Sequence, residues 1–322
     1  MEQSAPSHNI KKKIIKICVG VLIAILVYFI VSVVIVDIVY TDLQFKEHFD
    51  YESFGDPSEF DLQIREQTLK ASDGIRIHTY EVLHEDPEGI VIMLTGITGP
   101  SVTQFYGEAK LVHDAGFASL LVDARGHGKS GGDKITFAIE DVMDVDAAVE
   151  YIKSRNEYKD KPIIVMGLSM GGATAINAGS TNSNIDGIIA LSPYSSWTDV
   201  CIELAEAQGF PRWVCELLRP GVIIHGFLNF GVNYFRIVPE ETIKQAGDKP
   251  ILIMRSTRDA IVSMANHDRL LSSYEGANLE EFIRDGDEHH VVKGDKIYYP
   301  FDDIDYCNAI LNFLEKFKDE KE

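Results

Sequence analysis

Residues Gly167-Leu168-Ser169-Met170-Gly171 place a serine between two glycines, in the pattern G-x-S-x-G. An apolar run at 163–166 precedes it, and a stretch of mostly small residues at 172–178 follows it. This order predicts a buried strand, a sharp turn and a tightly packed helix, the context in which a serine is held exposed at the tip of a strained turn. Glycines are needed because the turn brings the two backbones too close for a Cβ. The pattern predicts Ser169 as a nucleophile; the alternative is a glycine-rich turn with an incidental serine.

Length and charge limit the class of protein. The 322 residues suffice for one large α/β domain with an appendage, or for two small domains. The net charge of −20 argues against a nucleic-acid partner, because binding phosphates requires clustered Lys and Arg. Segment 1–40 carries four Lys against two acidic residues, so the rest of the chain is more acidic still and should stay in water.

The first forty residues indicate a separate unit. Residues 17–36 carry no formal charge, and a helix of that length spans roughly 30 Å, the thickness of the hydrocarbon core. Lysines at 11–13 and 16 precede this run and Asp37 and Asp42 follow it, so the positive-inside rule predicts a cytoplasmic N-terminus, 1–16, and a transmembrane anchor, 17–40. The catalytic domain would then be extracytoplasmic. A cleaved signal peptide is the main alternative, but the apolar run is long for one and no clear Ala-x-Ala site follows it.

Beyond a connector at 41–62, short apolar runs alternate with helical patterns. This alternation predicts an α/β domain over 63–322 with a mostly parallel, eight-stranded sheet covered by helices on both faces. The turn Ser72-Asp73-Gly74 predicts that the first two strands form a hairpin. The predicted strands are 65–70, 75–82, 90–94, 118–122, 162–166, 187–191, 250–254 and 279–283, and the predicted helices are 104–115, 139–155, 170–179, 263–273 and 304–316.

Almost sixty residues separate the strands that end near 191 and begin near 250, far more than one crossover helix requires. The interval is rich in aromatic residues, which predicts a small helical cap at about 195–245. The four cysteines, Cys18, Cys201, Cys215 and Cys307, show no metal-ligand spacing. Cys201 and Cys215 could pair if the domain is extracytoplasmic, and otherwise are buried thiols.

A serine nucleophile requires a base and an acid that orients the base. In a sheet of this type the order along the chain should be serine, acid, histidine. Asp259 follows the strand at 250–254, and His289 follows the strand at 279–283, so both loops leave the same sheet edge as Ser169. These are the predicted acid and base.

Alternatives exist for each partner. Asp199 could supply the acid, and His290 competes with His289 as the base. Asp259 could instead be a salt-bridge partner of Arg255 or Arg258.

The negative charge that develops on the substrate oxygen in acyl transfer must meet backbone N–H donors. One predicted donor is Met170, which follows the nucleophile. The other is Ile97 in the loop Thr95-Gly96-Ile97-Thr98-Gly99, where Gly96 lets the backbone turn inward. A plain glycine turn is the alternative for this loop.

Together with the stretch Asp123-Ala124-Arg125-Gly126-His127-Gly128-Lys129-Ser130, these motifs resemble the α/β-hydrolase superfamily over residues 63–318. The pattern D-x-R-G-H-G-x-S is similar to the branch of serine aminopeptidase-like and monoacylglycerol-lipase-like proteins, and bacterial members with an N-terminal membrane helix are the nearest overall likeness. The resemblance implies a structural role for His127. Relatives commonly have His-Gly where this chain has Thr95-Gly96.

These observations predict a membrane-anchored serine hydrolase that cleaves an acyl or lipid-like ester without a metal or organic cofactor. A serine aminopeptidase that acts on short peptides uses the same machinery and is an alternative; Glu203, Glu206 and Glu216 are the cap carboxylates available to capture a free amine. A non-catalytic binding protein on the same scaffold is a second alternative. Oligomeric state and substrate do not follow from the sequence.

Overall fold

A single eight-stranded sheet forms the centre of the molecule. The computed structural model describes residues 8–44, 55–296 and 298–318. The strands are β1 (Ile64–Lys70), β2 (Arg76–Val82), β3 (Ile90–Leu94), β4 (Ala118–Val122), β5 (Ile163–Leu168), β6 (Gly187–Leu191), β7 (Ile251–Ser256) and β8 (Leu279–Arg284). Their order across the sheet is β1-β2-β4-β3-β5-β6-β7-β8.

The sheet is mostly parallel, as the sequence predicts. Strands β4, β3, β5, β6, β7 and β8 run parallel to one another, and β2 runs antiparallel to both of its neighbours, β1 and β4. The predicted hairpin joins β1 and β2, where the N–H of Gly74 donates to the carbonyl of Ala71 at 2.8 Å. The predicted α/β class and eight-stranded sheet are therefore confirmed.

Helices cover both faces of the sheet and extend beyond one end of it. They are α1 (His8–Gln44), α2 (Tyr106–Asp114), α3 (Val142–Ser154), α4 (Met170–Thr181), α5 (Trp197–Ala207), α6 (Arg212–Phe230), α7 (Asn233–Arg236), α8 (Pro239–Thr242), α9 (Met264–Ser273) and α10 (Ile304–Leu314). Alternate side chains of the central strands face opposite layers. Val91 and Met93 pack with α2 and α10, whereas Ile90, Ile92 and Leu94 pack with α3, α4 and α9.

Two strands run two residues further than their apolar pattern predicts. β5 continues through Gly167 to Leu168, which pairs with Leu191, and β7 continues to Ser256, which pairs with Arg284. Their backbones keep their ladder partners after the apolar run has ended. This extension matters because it brings the ends of β5 and β7 up to Ser169 and to the loop that holds Asp259.

Four helices, α5 to α8, occupy the long interval between β6 and β7. Their inner side packs on the domain through a buried apolar cluster that includes Trp197, Val222 and Tyr234 from these helices and Met170 from α4. The rings of Trp197 and Phe137 stack with their centroids 3.8 Å apart. Cys201 and Cys215 are both buried, and no disulfide joins their sulfur atoms.

The N-terminal helix α1 is one continuous element. Residues Lys11–Val39 form the one helix within the described ranges that is long and apolar enough to cross a membrane. Its second half packs against α6 and buries Ser32 and Val36. Helix α1 therefore has a packing contact with α6. Part of the predicted basic N-terminus, 1–7, and part of the predicted connector, 45–54, lie outside the described residues.

A buried carboxyl group on α2 gives a test of the core. Glu108 is fully buried, and its one described side-chain partner is the hydroxyl of Tyr306, which donates at 3.3 Å. Burial raises the pKa of Glu108 well above its ordinary value. The native carboxyl therefore holds a proton that the unfolded chain releases, and stability falls as pH rises above the unfolded-state pKa.

We predict that Glu108→Gln removes this dependence. Thermal unfolding of the glutamine variant and the unsubstituted protein should give similar midpoints at pH 5 and a higher midpoint for the variant at pH 8. A difference between the two that does not change with pH would contradict a protonated Glu108.

Candidate active site

Ser169 lies at the junction between β5 and α4 in a strained backbone conformation. Its φ is 54° and its ψ is −113°, a region that L-residues rarely adopt. The N–H of Ser169 donates to the carbonyl of Leu191 at 2.7 Å, and its carbonyl accepts from Ala173 at 2.9 Å. The backbone is thus fixed on both sides of the serine, although its φ is unfavourable.

The neighbouring glycines allow this turn because other backbones lie against it. A Cβ on Gly167 would collide with the carbonyl of Gly171. A Cβ on Gly171 would collide with the carbonyl of Leu94 at the end of β3, and one on Gly172 would come within 2.9 Å of the carbonyl of Leu191. The glycines of the pattern G-x-S-x-G-G are therefore required because α4 lies so close to three strands, β3, β5 and β6.

Asp259 and His289 are hydrogen-bonded to each other beyond the ends of β7 and β8. Their Oδ2 and Nδ1 atoms are 2.8 Å apart, and the aspartate side chain is fully buried. The other oxygen of Asp259 accepts from the N–H groups of Ile261 at 2.8 Å and Val262 at 3.1 Å. Burial opposes ionisation, but the hydrogen bond and charge of His289 and these two N–H donors outweigh it and lower the pKa of Asp259.

The loops that carry Asp259 and His289 are joined by their backbones. The N–H of Thr257 donates to Arg284 at 2.9 Å, and the N–H of Arg258 donates to Gly286 at 2.8 Å. These bonds continue the β7–β8 ladder into the loops. They hold the aspartate and the histidine in register before any substrate binds.

The alternative acid, Asp199, and the two arginines that could have paired with Asp259 have other partners. Asp199 pairs with Arg219 at 2.7 Å and accepts from the hydroxyl of Ser196 at 2.8 Å. Arg258 pairs with Asp285, and Arg255 donates to backbone carbonyls of Ser256, Val262 and Ser263. Within the described chain neither arginine forms a salt bridge with Asp259.

The rival base, His290, turns toward a different partner. The ring Nδ1 of His290 lies 3.2 Å from the carboxylate of Asp295, and the backbone N–H of His290 donates to the same carboxylate at 3.0 Å. Burial first, and then the proximity of His289, lower the pKa of His290. The hydrogen bond to Asp259 belongs to His289.

The two residues predicted as oxyanion donors lie on elements next to Ser169. Neither Met170, at the first position of α4, nor Ile97 donates its backbone N–H within the residues described. A Cβ on Gly96 would lie only 3.4 Å from the Cβ of Ser169, so the loop of Ile97 runs directly beside the serine.

The described chain contains no hydrogen bond from the Ser169 hydroxyl, and none from Nε2 of His289. Hydrogen bonds between a nucleophile and its base are often long in unliganded enzymes and shorten when substrate binds. The described residues also hold no group of three or more His, Cys, Asp or Glu that could bind a metal ion.

A buried polar network supports the loop of Ile97. From the sequence, only the family resemblance implied a structural role for one of its members, His127. The carboxylate of Asp123 accepts from the hydroxyl of Ser101 at 2.9 Å and from the N–H of Val102 at 2.8 Å. Nε2 of His127 lies 3.1 Å from the carbonyl of Ile97. This is a positioning role, in agreement with the structural part that the resemblance implies for His127.

Thr95, which stands where the resemblance leads one to expect histidine, has its own partner. Its hydroxyl accepts a hydrogen bond from the side-chain amide of Gln104. The substitution therefore leaves the base of the loop hydrogen-bonded.

Known proteins are similar to this chain in sequence and in fold. The family model for serine aminopeptidases of family S33 matches residues 85–229, less than half of the chain. The match includes Ser169 and ends before Asp259 and His289. An uncharacterized protein of Bacillus subtilis, YqkD, is 24% identical over 257 residues, which cover 79% of this chain and 80% of that protein. The monoacylglycerol lipase of Mycolicibacterium smegmatis is 22% identical over 272 residues, 74% of this chain and 95% of the lipase.

Among solved structures, the Pyrococcus furiosus esterase Pf2001 superposes with a TM-score of 0.64 at 20% identity. The match covers 82% of this chain and 95% of the esterase. The chain has the α/β-hydrolase fold. In this fold the carboxyl edge of the sheet carries the functional loops, and here the Ser169 turn, the Ile97 loop and the Asp259–His289 pair all lie at that edge.

The close approach at Gly171 gives a test within the α/β-hydrolase fold. Gly171→Ala places a methyl group against the carbonyls of Leu94 and Thr95, which are backbone atoms and cannot move independently. We predict a loss of about 2 kcal/mol or more in the free energy of unfolding, measured by urea denaturation.

Gly20→Ala is the control, because a Cβ at Gly20 meets nothing within 4 Å. If both variants were as stable as the unsubstituted protein, the close packing of α4 against β3 would be wrong.

Proposed function

We propose that the protein is a membrane-anchored serine hydrolase that cleaves a carboxylic ester through an acyl-enzyme. Ser169 is the nucleophile, His289 the general base and then the general acid, and Asp259 the residue that orients the imidazole. The observation that carries the proposal is the 2.8 Å bond between buried Asp259 and His289, on the same sheet edge as the strained Ser169.

The proposed reaction has two steps. As His289 removes the Ser169 proton, the serine oxygen attacks the ester carbonyl, and the N–H groups of Met170 and Ile97 stabilise the negative oxygen that results. His289 then protonates the departing alcohol, leaving an acyl group on Ser169. Water attacks that acyl group by the same route in reverse and releases the acid.

The charges in the cap favour an ester over a peptide with a free amino terminus. An aminopeptidase needs a carboxylate that is free to capture the substrate amine. Glu203 accepts from Asn266 at 2.7 Å and pairs with Arg269 at 3.3 Å. Glu206 pairs with Arg212 at 3.0 Å, and Glu216 pairs with Arg219 at 2.6 Å. The match to serine aminopeptidases keeps amide cleavage as the second candidate.

The apolar surroundings of the site favour an acyl chain. Met170 and Ile97, which flank the serine, belong to the same apolar cluster as Tyr194, Trp197 and Phe230. The monoacylglycerol lipase and the esterase among the similar proteins point the same way. We therefore propose that the protein is a bacterial member of the branch that contains serine aminopeptidase-like and monoacylglycerol-lipase-like proteins. Within that branch, we propose that its activity is that of a lipase or esterase.

The anchor and its topology are part of the proposal. Helix α1 supplies the transmembrane segment 17–40, with the basic residues before it in the cytoplasm and the domain 63–322 outside. The apolar exposed surface of α1 supports this assignment. A non-catalytic binding protein would not need a buried Asp259–His289 pair on the same sheet edge as a strained serine, and so is disfavoured.

We predict that substitutions separate the proposed triad from its rivals. Ser169→Ala should lower kcat on a p-nitrophenyl ester by on the order of 10⁵-fold, and Asp259→Asn by about 10³–10⁴-fold, because the latter leaves the imidazole in the wrong tautomer. The matched controls Asp199→Asn and His290→Asn should each cost less than about tenfold. Equal losses for Asp199→Asn and Asp259→Asn would contradict the assigned acid.

The substrate class is tested by a panel. We predict measurable kcat/KM on p-nitrophenyl esters, rising with acyl length from two to about eight carbons as more apolar surface is buried. Aminoacyl p-nitroanilides should be cleaved at least 100-fold more slowly. Preference for the anilides would overturn the ester assignment and leave the aminopeptidase.

A further inference from the structure

Arg255, one residue before the end of β7, is a buried arginine. It is 2% exposed, and among the described residues no carboxylate forms a salt bridge with it. Taking a charged group out of water without a partner of opposite charge costs free energy, and buried arginines are usually paired for that reason. The partners that Arg255 does have are therefore informative.

The guanidinium group of Arg255 binds backbone carbonyls at both ends of one loop. Its Nη2 donates to the carbonyl of Ser256 at 3.0 Å and to that of Val262 at 3.3 Å. Its Nη1 donates to the carbonyl of Ser263 at 3.2 Å. We call this loop, 256–263, the aspartate loop, after the predicted catalytic acid that it carries. One buried side chain thus closes the aspartate loop across its base.

This closure reaches Asp259 through Val262. The N–H of Val262 donates to Oδ1 of Asp259 at 3.1 Å, while the carbonyl of the same residue accepts from Arg255. The side chain of Val262 is buried as well, so the residue is held on all sides. The other oxygen of Asp259 is the one that lies 2.8 Å from Nδ1 of His289. Arg255 therefore holds a residue that in turn holds the carboxylate.

The shape of a guanidinium group suits this closure. It is a planar fork with donors on three nitrogens, and the two outer nitrogens of Arg255 both bind the aspartate loop. A lysine side chain ends where the central carbon of the guanidinium group would lie. It would keep the positive charge but would place no donor at either outer position.

The charge of Arg255 lies close to Asp259 without pairing with it. Burial lowers the pKa of Arg255, and the negative charges of Asp259, Asp268 and Glu203 oppose that effect, Asp259 most of all. A nearby positive charge favours the ionised form of a carboxyl group. A direct ion pair, however, would occupy an oxygen of Asp259. The observed arrangement leaves both oxygens to His289 and to the N–H groups of the aspartate loop.

The loop after β8 is held in a similar way by Arg284, the last residue of that strand. Its Nε donates to the carbonyl of Val291, two residues after His289, and its Nη2 pairs with Asp303. Two adjacent strands thus each carry, at or next to their end, an arginine that binds the loop which follows. The charge of Arg284 is compensated by a carboxylate, whereas Arg255 donates to backbone carbonyls alone within the described chain.

We propose that Arg255 is a positioning residue of the triad: by closing the aspartate loop, it holds Asp259 at hydrogen-bonding distance from His289. The inference rests on the proposed function, because the position of Asp259 affects a reaction only if Asp259 orients the base. The hydrogen bonds of Arg255 go to the aspartate loop, so it acts on the reaction through Asp259. The alternative is an arginine that stabilises the fold and leaves the reaction unchanged.

A kinetic test compares three variants of the full chain. Arg255→Met removes every donor, and it should lower kcat on a p-nitrophenyl ester by about 10–100-fold and change KM less than about threefold, because a displaced catalytic group slows turnover more than binding. Arg255→Lys keeps the charge without the fork and should lower kcat at least about fivefold. Arg65→Met is the control. It removes the partner of buried Glu81 at the opposite edge of the sheet, and should lower the unfolding midpoint but not kcat.

Thermal unfolding shows which variants are folded at the assay temperature. If Arg255→Met is not folded there, Arg255→Lys decides. Unchanged kcat in a folded Arg255→Met, or in Arg255→Lys, would overturn the proposal. An equal loss of kcat in Arg65→Met would also overturn it, because kcat would then follow stability and not the position of Asp259.

A spectroscopic test needs no substrate. The proton between Nδ1 of His289 and Asp259 should give a far-downfield proton NMR resonance that is absent from His289→Asn. We expect this resonance to shift or broaden in Arg255→Lys and to stay unchanged in Arg65→Met. An unchanged resonance in Arg255→Lys would overturn the positioning role. A protein that shows the expected response but cleaves no ester would support the hold of Arg255 on Asp259 and contradict the proposed function.

Discussion

The close approach of α4 to strands β3, β5 and β6 is the constraint on which the proposed site depends. Glycines at 167, 171 and 172 allow backbone carbonyls of the facing helix or strands to lie where a Cβ would be. That approach leaves Ser169 with a φ of 54° and brings the first turn of α4 beside the loop of Ile97. The proposed nucleophile and both proposed oxyanion donors thus depend on one packing interaction, and a side chain at any of the three glycines would disturb it.

The second half of the site depends on the sheet continuing into loops. Backbone hydrogen bonds from Thr257 and Arg258 to the loop after β8 carry the β7–β8 register past the strand ends, and the Asp259–His289 bond is formed at that point. The cap then lies over the edge on which these groups meet, and α6 in turn packs on α1. A chain of contacts therefore links the nucleophile to the helix that we propose spans the membrane.

Most of the fold follows from local pattern, because each central strand is a short apolar run and each crossover helix has its own period. Ser169, Asp259 and His289 could be chosen from order and sheet edge alone. Other features could be found only in the structure and not from the sequence. The support of the Ile97 loop by Asp123 and His127 joins segments that no periodicity relates, and the packing of Ser32 against Gly221 joins residues 189 positions apart. The apolar pattern of α1 indicated a membrane helix but carried no sign of its contact with the cap.

The central claim is that Ser169 is activated by its surroundings to act as a nucleophile. A fluorophosphonate reacts covalently with such a serine, and tryptic mass spectrometry locates the adduct. The account predicts one adduct on the peptide that contains Ser169, formed at least 100-fold more slowly in His289→Asn and absent in Ser169→Ala. An intact, folded protein that is not labelled, or is labelled at a different serine, would contradict it.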